Sequence, residues 1–348
     1  MEDLELLMKV LVTGNRGYIG TVLTPLLEAN GHDVTGLDSD LFAACTFHGQ
    51  VPSVPTIAKD SRDIEPNDID GFDAIIHLAG LSNDPLGDFR PGITDDINAQ
   101  ASIRLAKLAA DSGVERFLFA SSCSTYGASG DQFLDESATF NPVTPYGVSK
   151  VDVEHAVAPL ATDSFSPTFL RASTAYGCSP RLRFDLVVNN LTAWAVTTGK
   201  VLIKSDGTPW RPLVHVEDIA RAYVAILEAD REDVHGKAFN IGTTTENYRV
   251  SEVAALVEKI VPNCEVEFAA GGGPDKRCYR VNCERIATTL HGFKPQWTVE
   301  RGIQQLCDQY VEAGLSVTEF EGPRFKRIAH LKGLVADGRI DDEFRWTK

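Results

Sequence analysis

The stretch KVLVTGNRGYIG at 9–20 constrains this chain more than any other. Five residues of apolar strand character run directly into Gly14, Gly17 and Gly20, and an apolar helical pattern follows to about residue 30. Glycines at these points allow a tight turn and a close approach of backbone to a ligand. The helix that opens there presents unpaired N–H groups suited to a pyrophosphate, with Arg16, Tyr18 and Ile19 filling the loop. A second strand, HDVTGLD, ends on Asp38, about twenty residues on, where a carboxylate can accept the hydroxyls of an adenosine ribose and repel a 2′-phosphate. The pattern points to NAD rather than NADP. Arg16 is the contrary sign, because a guanidinium there either compensates a 2′-phosphate or faces solvent.

Further strand-like runs, AIIHLAG, RFLFASS, PTFLRAS and AFNIG, alternate with helical stretches near 95–112 and 146–159. Short apolar runs joined by helices read as βαβ units, and so as a doubly wound, mostly parallel Rossmann sheet covered on both faces. Two irregular excursions interrupt the pattern. The expected division is a dinucleotide-binding domain of 8–178 and 213–242, and a smaller, discontinuous α/β lobe of 179–212 and 243–318 over the strand ends. GGGP at 271–274 and KPQW at 294–297 are turn signals within that lobe. Residues 319–348 mix charge with Phe320, Phe325, Leu331, Leu334, Phe344 and Trp346, the signature of a tail docked on its own subunit or on another.

With 33 Lys and Arg against 49 Asp and Glu, the net charge of −16 disfavours a nucleic-acid surface. The seven cysteines show no CxxC spacing and no accompanying His cluster, so reduced thiols in the cytoplasm are expected and no metal is. The acidic start lacks the character of a signal peptide, and no segment suits a bilayer.

Chemistry gathers further along. Tyr146 and Lys150 in PYGVSK stand at i and i+4 of a helix, on one face. A phenol is a poor base at neutral pH unless a positive charge stabilises its anion, which Lys150 and an oxidised nicotinamide would supply. Ser122, at the end of a central strand, would hold the same substrate oxygen in line.

These residues, with HLAG at 77–80, Asn98 in DDINAQAS, SSCSTYG, LRASTAYG and RPLVHVEDIARA, resemble an extended short-chain dehydrogenase/reductase of the NAD-dependent epimerase/dehydratase family, over most of the chain to about residue 318. The resemblance implies that Leu78, Ala79, Gly80 and Asn98 pass along the cofactor, that Asp60 and Ser61 face adenine, and that Lys150 also holds the nicotinamide ribose. It places a nucleotide-diphosphate sugar against Ser122, Cys123, Ser124, Thr174, Asn190, Leu191, Arg211, Arg277 and Arg280. It also implies a homodimer built through the helices near 95–112 and 146–159.

Three departures refine the expectation. Thr174 stands where the family usually has a diphosphate-binding Asn, and Gly272 and Gly273 fall where many members carry a second phosphate-binding Arg. Cys123-Ser124 replaces the Asp-Glu pair that dehydratases place after the catalytic hydroxyl, since loss of water needs an added acid and base. Epimerisation by transient oxidation of a sugar hydroxyl is therefore expected. The alternatives are a nucleotide-sugar reductase or dehydrogenase, a 3- or 5-type epimerase using Cys123, and, behind these, a dehydratase.

Overall fold

The computed structural model describes residues 7–47, 49–82, 90–203, 205–268 and 277–347. The expected GGGP turn, with Gly272 and Gly273, lies outside the described residues. Seven strands form the main sheet: β1 (Lys9–Thr13), β2 (Asp33–Asp38), β3 (Thr56–Ala58), β4 (Ala74–His77), β5 (Arg116–Ser122), β7 (Ser166–Ala172) and β11 (Ala238–Ile241). Their spatial order is β11-β7-β5-β4-β1-β2-β3, and every pairing is parallel. From β1 the chain winds first toward β2 and β3, then returns past β1 to β4, so the topology reverses between β1 and β4. Ligand crevices of open α/β sheets form at such a reversal, beyond the carboxyl ends of the strands.

The period of two along each strand sets the two faces. Val10, Val12, Ile76, Leu118 and Leu170 pack with the helices Gly20–Ala29 and Val216–Glu228. Leu11, Ile75, Phe117 and Phe119 pack with Ala101–Asp111 and Pro145–Val157 on the other side. The three-residue strand β3 is too short to show a pattern in sequence. The helix expected near 95–112 is composite: Pro91–Asp95 runs through a π-helical segment, Asp96–Gln100, into Ala101–Asp111.

A separate apolar cluster joins the helices Val187–Thr198, Val250–Ile260 and Val299–Glu312 through Val188, Val253, Val257, Ile303 and Leu306. Near it stand β8 (Thr174–Tyr176), β10 (Trp210–His215) and β12 (Asn247–Arg249), which form a three-stranded sheet, while β6 (Ala128–Leu134) pairs with β14 (Cys278–Val281) and β9 (Lys200–Ile203) with β13 (Glu265–Phe268). The C-terminal segment docks on its own chain. Leu331, Leu334, Ile340 and Phe344 bury themselves against Leu41, Leu81 and Ile97, and Trp346 Nε1 donates to Ser39 O at 2.6 Å. Among the described residues no helix is long and apolar enough to cross a membrane.

Candidate active site

A cavity of about 700 Å³ opens above the carboxyl ends of β1, β2, β4, β5 and β7. Its floor begins at the glycine loop. Gly14 adopts φ +74°, and a Cβ there would stand 2.7 Å from the backbone nitrogen of Ala79; at Gly20 a Cβ would stand 2.4 Å from Gly14 O. No side chain fits either place, so the loop stays thin enough for a ligand's diphosphate to reach the backbone. Beneath it the His77 ring joins Thr13 Oγ1 at 2.6 Å and Ser102 Oγ at 2.7 Å. Burial, with Lys150 second, pushes His77 down to about 3 and keeps it neutral, a structural pin rather than a proton carrier.

At the adenosine end Asp38 lines the cavity and accepts N–H bonds from Arg16 at 3.0 Å and Asp40 at 2.7 Å. Burial raises its pKa, while those two bonds act in the other direction. Arg16 pairs with Asp40 at 2.8 Å, and Arg181 takes the other oxygen of the same carboxylate at 2.8 Å. Arg16 is thus committed to an acid rather than left to compensate a 2′-phosphate. Asp60 caps a 3₁₀ turn and holds Arg62 through both carboxylate oxygens, at 3.0 and 2.7 Å. Asp60 and Ser61 line the wall, as do Gly17, Tyr18, Ile19, Leu78, Ala79 and Gly80. The thin loop, the carboxylate at the second strand and a lining that runs from Asp38 to Tyr146 fit a dinucleotide.

Ser122, Tyr146 and Lys150 line the same cavity. Ser122 ends β5 and caps the following 3₁₀ turn: its Oγ accepts from Ser124 N at 3.1 Å and lies 3.1 Å from Ser124 Oγ. Thr144 caps the helix Pro145–Val157 through Gly147 N, placing Tyr146 and Lys150 in its first turns. The Lys150 ammonium sits 4.6 Å from the Phe119 ring centre and 5.5 Å from that of Tyr146. Burial pushes its pKa down to about 7, against the pull of Glu154.

A base whose pKa falls on folding leaves the unfolded state with more bound protons, so its penalty is complete below pH 7 and fades as pH rises to 10.5. Lys150→Met should therefore raise the melting temperature by several degrees at pH 6, with the gain shrinking toward pH 10, while activity is lost. Thermal melts at the two pH values check this, and an unchanged melt at pH 6 contradicts it.

Thr174, Asn190, Leu191, Arg211, Arg277 and Ser124 also line the cavity. Asn190 sits early in the helix Val187–Thr198 and donates to Phe184 O at 2.8 Å. Arg211 is buried on β10, donates to Trp210 O at 2.8 Å and contacts Arg277 O.

Three sequence expectations are corrected. Cys123 does not line the cavity. The chain turns after β5 so that its thiol is fully buried and donates to Arg171 O at 3.1 Å, and burial pushes its pKa up. Asn98 lies one layer back. Its carboxamide satisfies both main-chain groups of Leu81, at 2.7 and 3.0 Å, and so fixes the wall next to Gly80. Arg280 faces away, its guanidinium between the rings of Phe133 at 3.8 Å and Trp210 at 4.3 Å.

Other lining residues escaped the sequence reading. Arg183 pairs with Asp185 at 2.6 Å and donates to Ser82 Oγ at 2.9 Å. Tyr279 reaches the cavity from β14 (Cys278–Val281), and Arg327 from the C-terminal segment. Only RLRFD at 181–185, a charged cluster in a loop between apolar elements, carried a local signal.

Fold and cavity together define a dinucleotide-dependent enzyme of the doubly wound α/β class. Residues 10–242 match the NAD dependent epimerase/dehydratase family, and the chain belongs to that family, with NAD as its cofactor. It is 29% identical over 315 residues to a UDP-glucose 4-epimerase of Lactobacillus helveticus, covering 83% of this chain and 92% of that one. It is 27% identical over 312 residues to a UDP-glucose 4-epimerase of Corynebacterium glutamicum, covering 85% and 93%. Among solved structures it is similar to MoeE5 in complex with UDP-glucose and NAD, with a TM-score of 0.74, 27% identity, and coverage of 88% of this chain and all of that one.

Proposed function

We propose that the protein is an epimerase of a nucleotide-diphosphate sugar. The observation that carries this reading is the convergence of Ser122, Tyr146 and Lys150 on the cavity that the glycine loop and Asp38 also line. Position 123, where a dehydratase would need a carboxylate, holds instead a buried thiol turned toward Arg171.

The reading assigns each group one task. Bound NAD supplies the acceptor and donor of hydride at the sugar carbon. Tyr146 takes the proton of the sugar hydroxyl and later returns it, and the Lys150 charge holds the phenolate within reach of neutral pH. Ser122 donates to the reacting oxygen and keeps it in line. Arg211 and Arg277 suit the diphosphate, since guanidinium groups form parallel bonds to phosphate oxygens. Thr174, Asn190 and Leu191 line the side assigned to sugar and nucleotide. The smaller lobe, 179–212 and 243–318, would then hold the substrate above the dinucleotide-binding domain. A homodimer through the helices Ala101–Asp111 and Pro145–Val157 is part of the reading, supported by the exposed Val148 on the second of them.

The relatives named above support UDP-linked sugars as first substrates. The test is turnover of a UDP-sugar panel in heavy water with catalytic NAD. The expected result is an inverted sugar with no net change in NAD and no deuterium on carbon. Stoichiometric consumption of NADH would point to a reductase, and carbon-bound deuterium would favour proton transfer beside a ketone.

A further inference from the structure

The C-terminal segment brings a charge to the cavity that neither the glycine loop nor the Tyr146 helix requires. Arg327 opens the helix Arg327–Ala336 and lines the cavity wall. Its guanidinium lies over the Phe42 ring, 3.9 Å from the centre, and its Nη2 donates to Arg181 O at 3.4 Å. The neighbouring arginines are matched by acids: Arg16 and Arg181 share Asp40, and Arg183 holds Asp185. Among the described residues no carboxylate lies within ion-pair distance of Arg327. Burial, with Arg183 next, pushes its pKa down to about 10. A cation held this way is costly until an anion reaches it.

Its place suggests which anion. Phe42 continues the loop that follows Asp38, so one side of Arg327 borders the adenosine end. On the other side Arg183 bonds Ser82, just beyond the Leu78–Leu81 wall. Arg327 therefore lines the cavity wall beside the loop that follows Asp38 and next to the 181–183 segment, where a dinucleotide running from Asp38 along the strand ends brings its diphosphate. A guanidinium stacked on an aromatic ring keeps its plane fixed and its edge free for paired bonds to phosphate oxygens.

We infer that Arg327 is a phosphate-binding residue, carried by the C-terminal segment, that grips a ligand diphosphate from the wall of the cavity. The inference rests on the functional reading above for its two sources of diphosphate, the dinucleotide and the nucleotide sugar. The location favours the dinucleotide.

Calorimetric titration of the full-length protein with NAD, ADP, adenosine and UDP, for wild type, Arg327→Met and Arg327→Lys, tests it. Arg327→Met is expected to weaken NAD and ADP by about tenfold or more, the scale of a lost charge-assisted bond. Adenosine and UDP should be unaffected, and Arg327→Lys should recover part of the loss. Weakened UDP with unchanged NAD would assign the same phosphate contact to the nucleotide sugar. Equal affinity of the Met variant for every ligand would overturn the inference. So would a loss for adenosine equal to that for ADP, which would mark a packing role in the tail. Wild-type protein that binds NAD but not UDP would fault the nucleotide-sugar reading and leave Arg327 to be judged on NAD alone.

Discussion

Replacing Tyr146 by phenylalanine should lower turnover by about 10²–10⁴-fold while leaving the fold and the bound NAD in place. The substitution removes one hydroxyl from a side chain that lines the cavity, and the ring keeps its place beside the Lys150 ammonium. Two neighbouring titratable groups are held away from this task. His77 is held neutral and pinned between Thr13 and Ser102, and Cys123 is buried facing Arg171. Steady-state kinetics, with chromatography of the nucleotide released on denaturation, measure both parts. Turnover within tenfold of wild type would remove Tyr146 from the proton path. Loss of folding would make it a packing residue.

The second large effect concerns what holds Tyr146 in place. Glu154, two turns further along the same helix, is buried and accepts from Arg171 Nε at 3.0 Å, from Arg171 Nη2 at 2.6 Å and from Ser121 Oγ at 2.5 Å. Arg171 also donates to the Tyr126 hydroxyl at 3.0 Å and to Glu136 O at 3.1 Å. Two sheet strands thereby grip the helix that carries Tyr146 and Lys150. Arg171→Leu leaves the Glu154 carboxylate buried without its cation, which should cost about 3–5 kcal/mol. Activity should fall with it, because Tyr146 and Lys150 lose their anchor. Urea unfolding gives the stability, and the double variant Arg171→Leu/Glu154→Leu should recover much of it, since no uncompensated charge remains. A single variant within about 1 kcal/mol of wild type would show that the pair is not a structural clamp.

Much of this arrangement could be read in the sequence because its signals are local. The glycine loop, the carboxylate at the end of β2 and the Tyr146/Lys150 spacing each depend on a few consecutive residues of one element. The alternating apolar runs give six of the seven main strands in the same way. Direction was harder to read. Cys123 and Ser122 are neighbours, and only the turn after β5 decides that the hydroxyl lines the cavity while the thiol is buried behind it. Arg280 shows the same limit, since two surface rings draw it away from a ligand pocket that its neighbour Tyr279 lines. The family pattern around Asn98 points to the cofactor, but its carboxamide matches the main chain of Leu81, one step behind the wall. Arg183 stands in the charged RLRFD loop, a local signal without a direction, and Arg327 owes its position to a chain crossing that no local pattern encodes.

The docking of the C-terminal segment also bears on when the cavity is completed during synthesis. Ser39 and Trp346 meet across 307 positions of sequence. A chain emerging from a ribosome can assemble the parallel sheet and present the Tyr146 helix well before Leu331, Leu334, Ile340 and Phe344 exist to cover Leu41 and Leu81. The wall beside the adenosine end is thus among the last parts of the molecule to be made. A nascent or truncated chain ending before Arg327 would have Ser122, Tyr146 and Lys150 in place with one side of the cavity still open, and cofactor capture would become a late step of maturation.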